Sequence, residues 1–231
     1  MPGRRSLIIG GMNSARSVLL WLCLPITCQV MHAPAVAGPG GGGEAAAIAA
    51  FKRETGRRVL TLAGYSGAGY EDPAAMLVAA ARILDAASPE EVVVNIGATA
   101  AGIGAVYALA RQRGFITMGI VSSQAREAGV ALSPCVDHVF YVPDATWGGV
   151  DAASGQLSPT SQAIVAHSDT FVAIGGGDIA RDELLAARQA GKPVTFVPAD
   201  MNHQVAIDKA RQRGEPEPTD FQGAVHRALG G

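Results

Sequence analysis

Aromatic residues make up only 5% of this 231-residue chain, and charged residues only 16%. The apolar 48% is carried mainly by Ala, Val, Ile and Leu, a mixture that suits parallel strands covered by Ala-rich helices. No basic cluster is present, so no nucleic-acid partner is expected; no acidic tail points to a basic partner either, and the net charge is −2. Of three cysteines, Cys23, Cys28 and Cys135, only Cys135 lies outside the first 37 residues, and one cysteine cannot make an internal disulfide. No His, Cys and carboxylate spacing suggests a metal site. A Gly-x-Ser-x-Gly elbow and a P-loop lysine with its serine are both missing. The dinucleotide fingerprint is missing too, because Gly97-Ala-Thr-Ala-Ala-Gly102 is not spaced as G-x-G-x-x-G. These gaps set aside a triad hydrolase, a P-loop enzyme and a nicotinamide dehydrogenase, and no cofactor is expected.

Long apolar runs are also lacking. Residues 18–28 are apolar but too short and too interrupted for a span of roughly 20 residues. With Arg4, Arg5 and Arg16 before them and Ala35-Val36-Ala37 after, they read as a signal peptide over residues 1–37. The expectation is export to the periplasm or beyond, with a mature chain beginning near Gly38. Met12 is a second candidate start within that segment. The alternative is a cytoplasmic protein behind a mis-called start. Cleavage would remove Cys23 and Cys28 and leave Cys135 as a quiet, partly buried thiol.

What is there is a regular alternation. A Gly-rich linker and a leading helix occupy 38–56, a domain of strands and helices 57–213, and a helical tail 214–231. Strands are expected at 59–63, 92–96, 116–121, 136–142, 170–174 and 193–197. Helices are expected at 73–87, 102–113, 160–167, 180–190 and 202–213, and a last short one at 220–229. Asp72 before Pro73 reads as an N-cap, as does Asp200 or Asn202 for the helix at 202–213. Strands separated by helical stretches imply an α/β fold: a Rossmann-like, three-layer, doubly wound and mostly parallel sheet.

In such a sheet, ligands bind outside the carboxyl ends of the strands. Three strand ends carry glycine turns: Gly64, Gly67 and Gly69; Gly97, Gly102 and Gly104; Gly175, Gly176 and Gly177. Glycine lets backbone approach a ligand, and the helix that follows offers free N–H groups to a phosphate. Candidate ligand-binding residues are therefore Gly64, Ser66, Gly67, Gly97, Thr99, Gly102, Gly104, Ser122, Gly175, Gly176, Gly177 and Asp178. Asp178 also reads as a helix cap. Trp147 in the long connection 144–159 is placed to stack on a base or anchor its loop.

The stretch Ala166-His-Ser-Asp-Thr-Phe-Val-Ala-Ile-Gly-Gly-Gly-Asp-Ile-Ala-Arg-Asp-Glu-Leu184, followed by Gly191-Lys-Pro-Val194, resembles the SLOG superfamily, which includes the Lonely Guy phosphoribohydrolases. Their hallmark is P-G-G-x-G-T-x-x-E at a strand-to-helix turn. Ser168-Asp169, Gly176-Gly177, Glu183-Leu184 and Lys192-Pro193 match it in register, and Asn95-Ile-Gly97 with Gly102-Ile-Gly104 is similar to the family's upstream glycine loop. The resemblance spans about residues 57–200. Gly175 stands for the family's proline, Ile179 for its glycine, Ala180 for its threonine, and Thr160 for its catalytic arginine.

The resemblance implies a nucleotide-type small-molecule ligand and a homodimer formed through helices. It makes Glu183 the candidate catalytic carboxylate for N-glycosidic hydrolysis of a nucleoside monophosphate. Because Thr160 replaces the arginine, with only Arg126 and Arg181 as substitutes, the expected role is binding or sensing of a nucleotide or its derivative. A phosphoribohydrolase using Glu183 is the rival.

Overall fold

A computed structural model describes residues 43–229. The expected signal peptide, the linker up to residue 42 and the last two residues lie outside the described residues.

Six strands of the described residues form one sheet: β1 (Arg58–Gly64), β2 (Val92–Asn95), β3 (Ile116–Ser122), β4 (His138–Val142), β5 (Thr170–Ile174) and β6 (Val194–Val197). Their order is β4-β3-β2-β1-β5-β6, and every pairing is parallel. The chain winds outward from β1 to β4, then returns to place β5 on the other side of β1. The direction of winding therefore reverses between β1 and β5, the place where doubly wound sheets open a crevice.

Among the described residues, eight helices accompany the sheet: α1 (Gly43–Thr55), α2 (Pro73–Asp85), α3 (Val106–Gln112), α4 (Gln124–Glu127), α5 (Pro159–His167), α6 (Asp178–Gln189), α7 (His203–Arg213) and α8 (Gly223–Leu229). Strand residues alternate between two cores. Leu60, Leu62, Val92, Val94, Val172 and Ile174 pack with Met76, Leu84 and Tyr107 from α2 and α3. Val59, Val93, Met118, Ile120, Phe171 and Ala173 pack with Ile48, Ile164, Leu184 and Val225 from α1, α5, α6 and α8. The run Val92–Val94 is apolar at every position because both faces are covered. Burial of a Leu such as Leu84 stabilises the fold by roughly 1.5–3 kcal/mol.

Local chemistry sets the element ends. Asp72 accepts the Ala75 N–H at 2.8 Å, and Asn202 rather than Asp200 caps α7 through the Val205 N–H at 3.0 Å. Asp178 caps nothing: Gly177 holds the N-cap position of α6, and Asp178 pairs with Arg181 instead. The single helix expected at 102–113 is divided into a 3-10 turn, Gly102–Ala105, and α3. Gly102 has φ +57° and passes directly against the Tyr65 carbonyl, and the Ile103 N–H donates to that carbonyl at 2.8 Å. A side chain at Gly102 would collide with backbone there. The short helix α4 had no counterpart in the sequence pattern.

The helical tail is part of the core. Ala224 and Val225 are buried, the Met201 N–H donates to the Phe221 carbonyl at 2.8 Å, and Phe221 stacks on His203 with ring centroids 3.9 Å apart. Cys135 is buried. No helix among the described residues is long and apolar enough to cross a membrane.

Candidate functional site

A cavity of about 350 Å³ opens at the carboxyl ends of the central strands, within the size range of small-molecule sites. Its floor is Thr61, Asn95 and Ile120 from β1, β2 and β3, and its upper edge is Gly64, Ser66, Gly97 and Thr99 from the turns that follow β1 and β2. Thr160 and Ile164 of α5 and Ile179, Ala180 and Glu183 of α6 close one side. Trp147, Val130 and Ile179 stand exposed at the mouth.

Polar residues on the floor hold each other across the sheet. Asn95 is fully buried; its Oδ1 accepts the Ile120 N–H at 3.1 Å and its Nδ2 donates to Thr61 Oγ1 at 3.1 Å. β2 ends at Asn95, so the side chain supplies the acceptor that the strand no longer provides. Thr61 Oγ1 lies 2.6 Å from Ser168 Oγ, which donates to the Ile164 carbonyl at 2.6 Å. The Ser168-Asp169 pair is thus structural: Asp169 accepts the Val59 N–H at 2.7 Å and pairs with Lys52 of α1 at 2.8 Å. Lys192 caps carbonyls of Ala166 and Ser168.

Among the described residues, Glu183 is the one ionisable group in the wall. Burial raises its carboxyl from 4.5 to about 7, opposed by a hydrogen bond from Ser161 and assisted by the charge of Asp182. Ser161 Oγ donates to Glu183 Oε1 at 2.6 Å and accepts the Gly149 N–H at 2.7 Å. The loop carrying Trp147 is tied down beside it: Val150 N–H donates to Asp182 Oδ2 at 2.9 Å. Asp144 anchors the start of the same loop. Burial opposes its charge, but the N–H groups of Thr160 and Thr146 and the Thr146 hydroxyl outweigh burial and hold its carboxyl below the usual range. Thr160 donates its N–H to Asp144 at 2.9 Å; its buried hydroxyl lies near the same carboxylate without a hydrogen bond of good geometry.

The structure gathers only part of the expected set. Gly64, Ser66, Gly97, Thr99, Ser122 and Glu183 line the cavity. The Ser122 hydroxyl is already committed, donating toward the Asp144 and Thr146 carbonyls at 3.1 and 2.5 Å. Gly67, Gly102, Gly104, Gly175, Gly176, Gly177 and Asp178 do not line it. Gly175 and Gly176 are covered by the chain itself: the Val225 N–H donates to the Gly176 carbonyl at 3.2 Å, and Tyr65, bonded to the Gln222 carbonyl at 2.8 Å, packs on Gly175. Glycine is needed there for the protein's own packing rather than for the approach of a ligand. Neither substitute arginine lines the cavity. Arg181 is held by Asp178 and Asp182, each at 2.7 Å, and Arg126 lies 3.9 Å over the Tyr141 ring.

Sequence reasoning missed Ser161, Asn95 as a hydrogen-bonding residue, and Thr61. No group of three or more His, Cys, Asp or Glu that could hold a metal occurs among the described residues.

No family model matches the chain, and no curated protein matches it. Among solved structures, a structural-genomics target, TM1055, is 20% identical, with a TM-score of 0.45 over 59% of this chain and 72% of its own. The Moco carrier protein from Chlamydomonas reinhardtii is 19% identical, with a TM-score of 0.44 over 61% of this chain and 76% of its own. The molybdenum cofactor binding protein from the phototrophic bacterium Rippkaea orientalis is 19% identical, with a TM-score of 0.46 over the same shares.

Proposed function

We propose that this chain is a binding or sensing protein for a nucleotide or nucleotide derivative, seated in the cavity beside Glu183. The observation that carries this reading is the composition of the cavity wall. It is mostly apolar, it lies at the carboxyl ends of β1, β2 and β3, and a few buried polar groups line it: Glu183, Thr160 and Asn95. Such a wall fits a planar heterocycle, with the apolar faces holding the ring and the polar groups fixing its orientation. Trp147 at the mouth offers a stacking surface. The test is mass spectrometry of small molecules carried through native purification of the full chain. A nucleotide, nucleoside or base recovered in stoichiometric amount supports the reading. Recovery of an unrelated ligand that adenosine and its monophosphate fail to displace counts against it.

One observation favours hydrolysis as a second reading: Glu183 is buried, lines the cavity and has its carboxyl pushed up to about 7, where a general acid works best near neutral pH. Against it stands Thr160, which supplies no positive charge. Chromatography of nucleoside monophosphates incubated with the protein decides between the readings. Release of free base, lost in Glu183→Gln, promotes the hydrolase.

A further inference from the structure

The cavity has a sign. Among the described residues, none that lines it is Lys, Arg or His, and Glu183 is the only ionisable side chain. The arginines nearest in sequence to the lining residues of α4 and α6, Arg126 and Arg181, are engaged elsewhere, as described above. The amino end of α6 touches the cavity through Ile179 and Ala180, but Asp178 in its first turn already offsets the positive end of the helix dipole. An anion entering this space would lose hydration and meet a carboxyl group, with no cation in return.

The atoms left open on the wall are of a particular kind. Glu183 Oε1 receives the Ser161 hydroxyl proton, while Oε2 accepts no hydrogen bond from any described residue. Thr160 Oγ1 is buried beside the Asp144 carboxylate, without a hydrogen bond of good geometry. Asn95 commits one amide hydrogen to Thr61 and both N–H donors of Ile120 and Gly97 converge on its Oδ1. The free acceptor is therefore the Glu183 carboxyl, in a wall that also holds the aliphatic side chains of Ile164 and Ile179.

We propose that the cavity takes an unphosphorylated nitrogen heterocycle, a nucleoside or free base with an exocyclic amine, and that this amine donates to Glu183 Oε2. This rests on the reading of the cavity as a nucleotide-type site and narrows it. A carboxylate accepts from an amine and repels a ring carbonyl, so the group at position 183 selects the base. No covalent step is involved.

The experiment is calorimetric titration of the full chain at pH about 8, where the carboxyl is ionised. The probes are adenosine, inosine and adenosine 5′-monophosphate. Adenosine is expected to bind at least about tenfold more tightly than inosine, and the monophosphate no more tightly than adenosine. Glu183→Gln keeps an oxygen for Ser161 and turns an N–H donor toward the ligand. It should reverse the order, so that inosine binds more tightly than adenosine, a change that simple loss of folding cannot mimic; circular dichroism checks the fold. Monophosphate binding about tenfold tighter than adenosine would overturn the inference and leave the nucleotide reading intact, as would an unchanged base preference in the variant. Absence of binding by all three probes at millimolar concentration would overturn both.

Discussion

Ser161 and Glu183 lie on different helices, α5 and α6, and share a hydrogen bond of 2.6 Å inside the cavity wall. The same hydroxyl accepts the Gly149 N–H, so one serine joins the buried carboxyl to the loop that carries Trp147. Ser161→Ala should therefore do two things. It removes the bond that holds the Glu183 carboxyl down, so that carboxyl should titrate above about 7. It also leaves the buried Gly149 N–H without an acceptor, at a cost of roughly 1–3 kcal/mol. Carbon-13 NMR titration of the carboxyl and urea denaturation read the two effects separately. An unchanged titration midpoint would mean that the bond is not formed in solution.

Glu183 also gives folding stability a pH dependence with a defined sign. Its carboxyl is at about 7 in the folded chain and 4.5 as a free side chain, so the folded state holds the proton more tightly. The stability this supplies is complete below about pH 4.5 and is lost as pH rises through about 7. The difference corresponds to about 3 kcal/mol for a fully buried group. Glu183→Gln cannot titrate, so its stability relative to the wild type should rise across that window. Denaturation midpoints at about pH 5 and about pH 8 measure it, and parallel behaviour of the two proteins would refute it.

Gly176 carries a prediction about the tail rather than about the ligand. Its φ is +130°, and an added Cβ would stand 2.8 Å from both Ala180 Cβ and Val225 Cγ2. Gly176→Ala should push α8 off α6 and destabilise the fold by roughly 1–3 kcal/mol. Limited proteolysis should then cut between residues 214 and 229 faster than in the wild type. A variant with wild-type stability and lowered ligand affinity would show instead that this glycine faces the ligand.

The sheet was legible in the sequence because its signals are local. Val92–Val94 is apolar throughout, Pro73 follows a capping Asp72, and Gly114 and Gly191 close helices, so each strand and most helices fall where the pattern sets them. Glu183 was found through a motif register. The rest of the site depends on contacts far apart in sequence. Ser161 sits among the small polar residues that open α5, and nothing local tells that its partner is 22 residues onward. Glycine at a strand end reports close approach of something, but not of what. At Gly175 and Gly176 it is Tyr65, Ala180 and Val225 of the same chain that approach. Tail packing of this kind leaves no periodic trace, so the third glycine turn read like the other two.

Thr160→Arg brings these threads together. Thr160 lines the cavity beside Glu183, and a cavity of about 350 Å³ has room for a longer side chain extending into it. A guanidinium placed there would stabilise the ionised carboxyl, and an opposite charge within hydrogen-bonding reach lowers a carboxyl pKa by about 1–3 units. Glu183 should then titrate well below its present value of about 7, and the stability lost with rising pH in the wild type should no longer be lost. The wall would also gain the cation it lacks, so adenosine 5′-monophosphate should become the tighter ligand by about tenfold over adenosine. Thr160→Gln, long but uncharged, controls for size: it should keep the wild-type pH dependence and gain no preference for the monophosphate. Identical behaviour of the Arg and Gln variants would mean that charge at position 160 does not reach Glu183, and the electrostatic account of the cavity would fall. Base release from the monophosphate by Thr160→Arg alone would show further that the wall is built for hydrolysis and lacks only its cation.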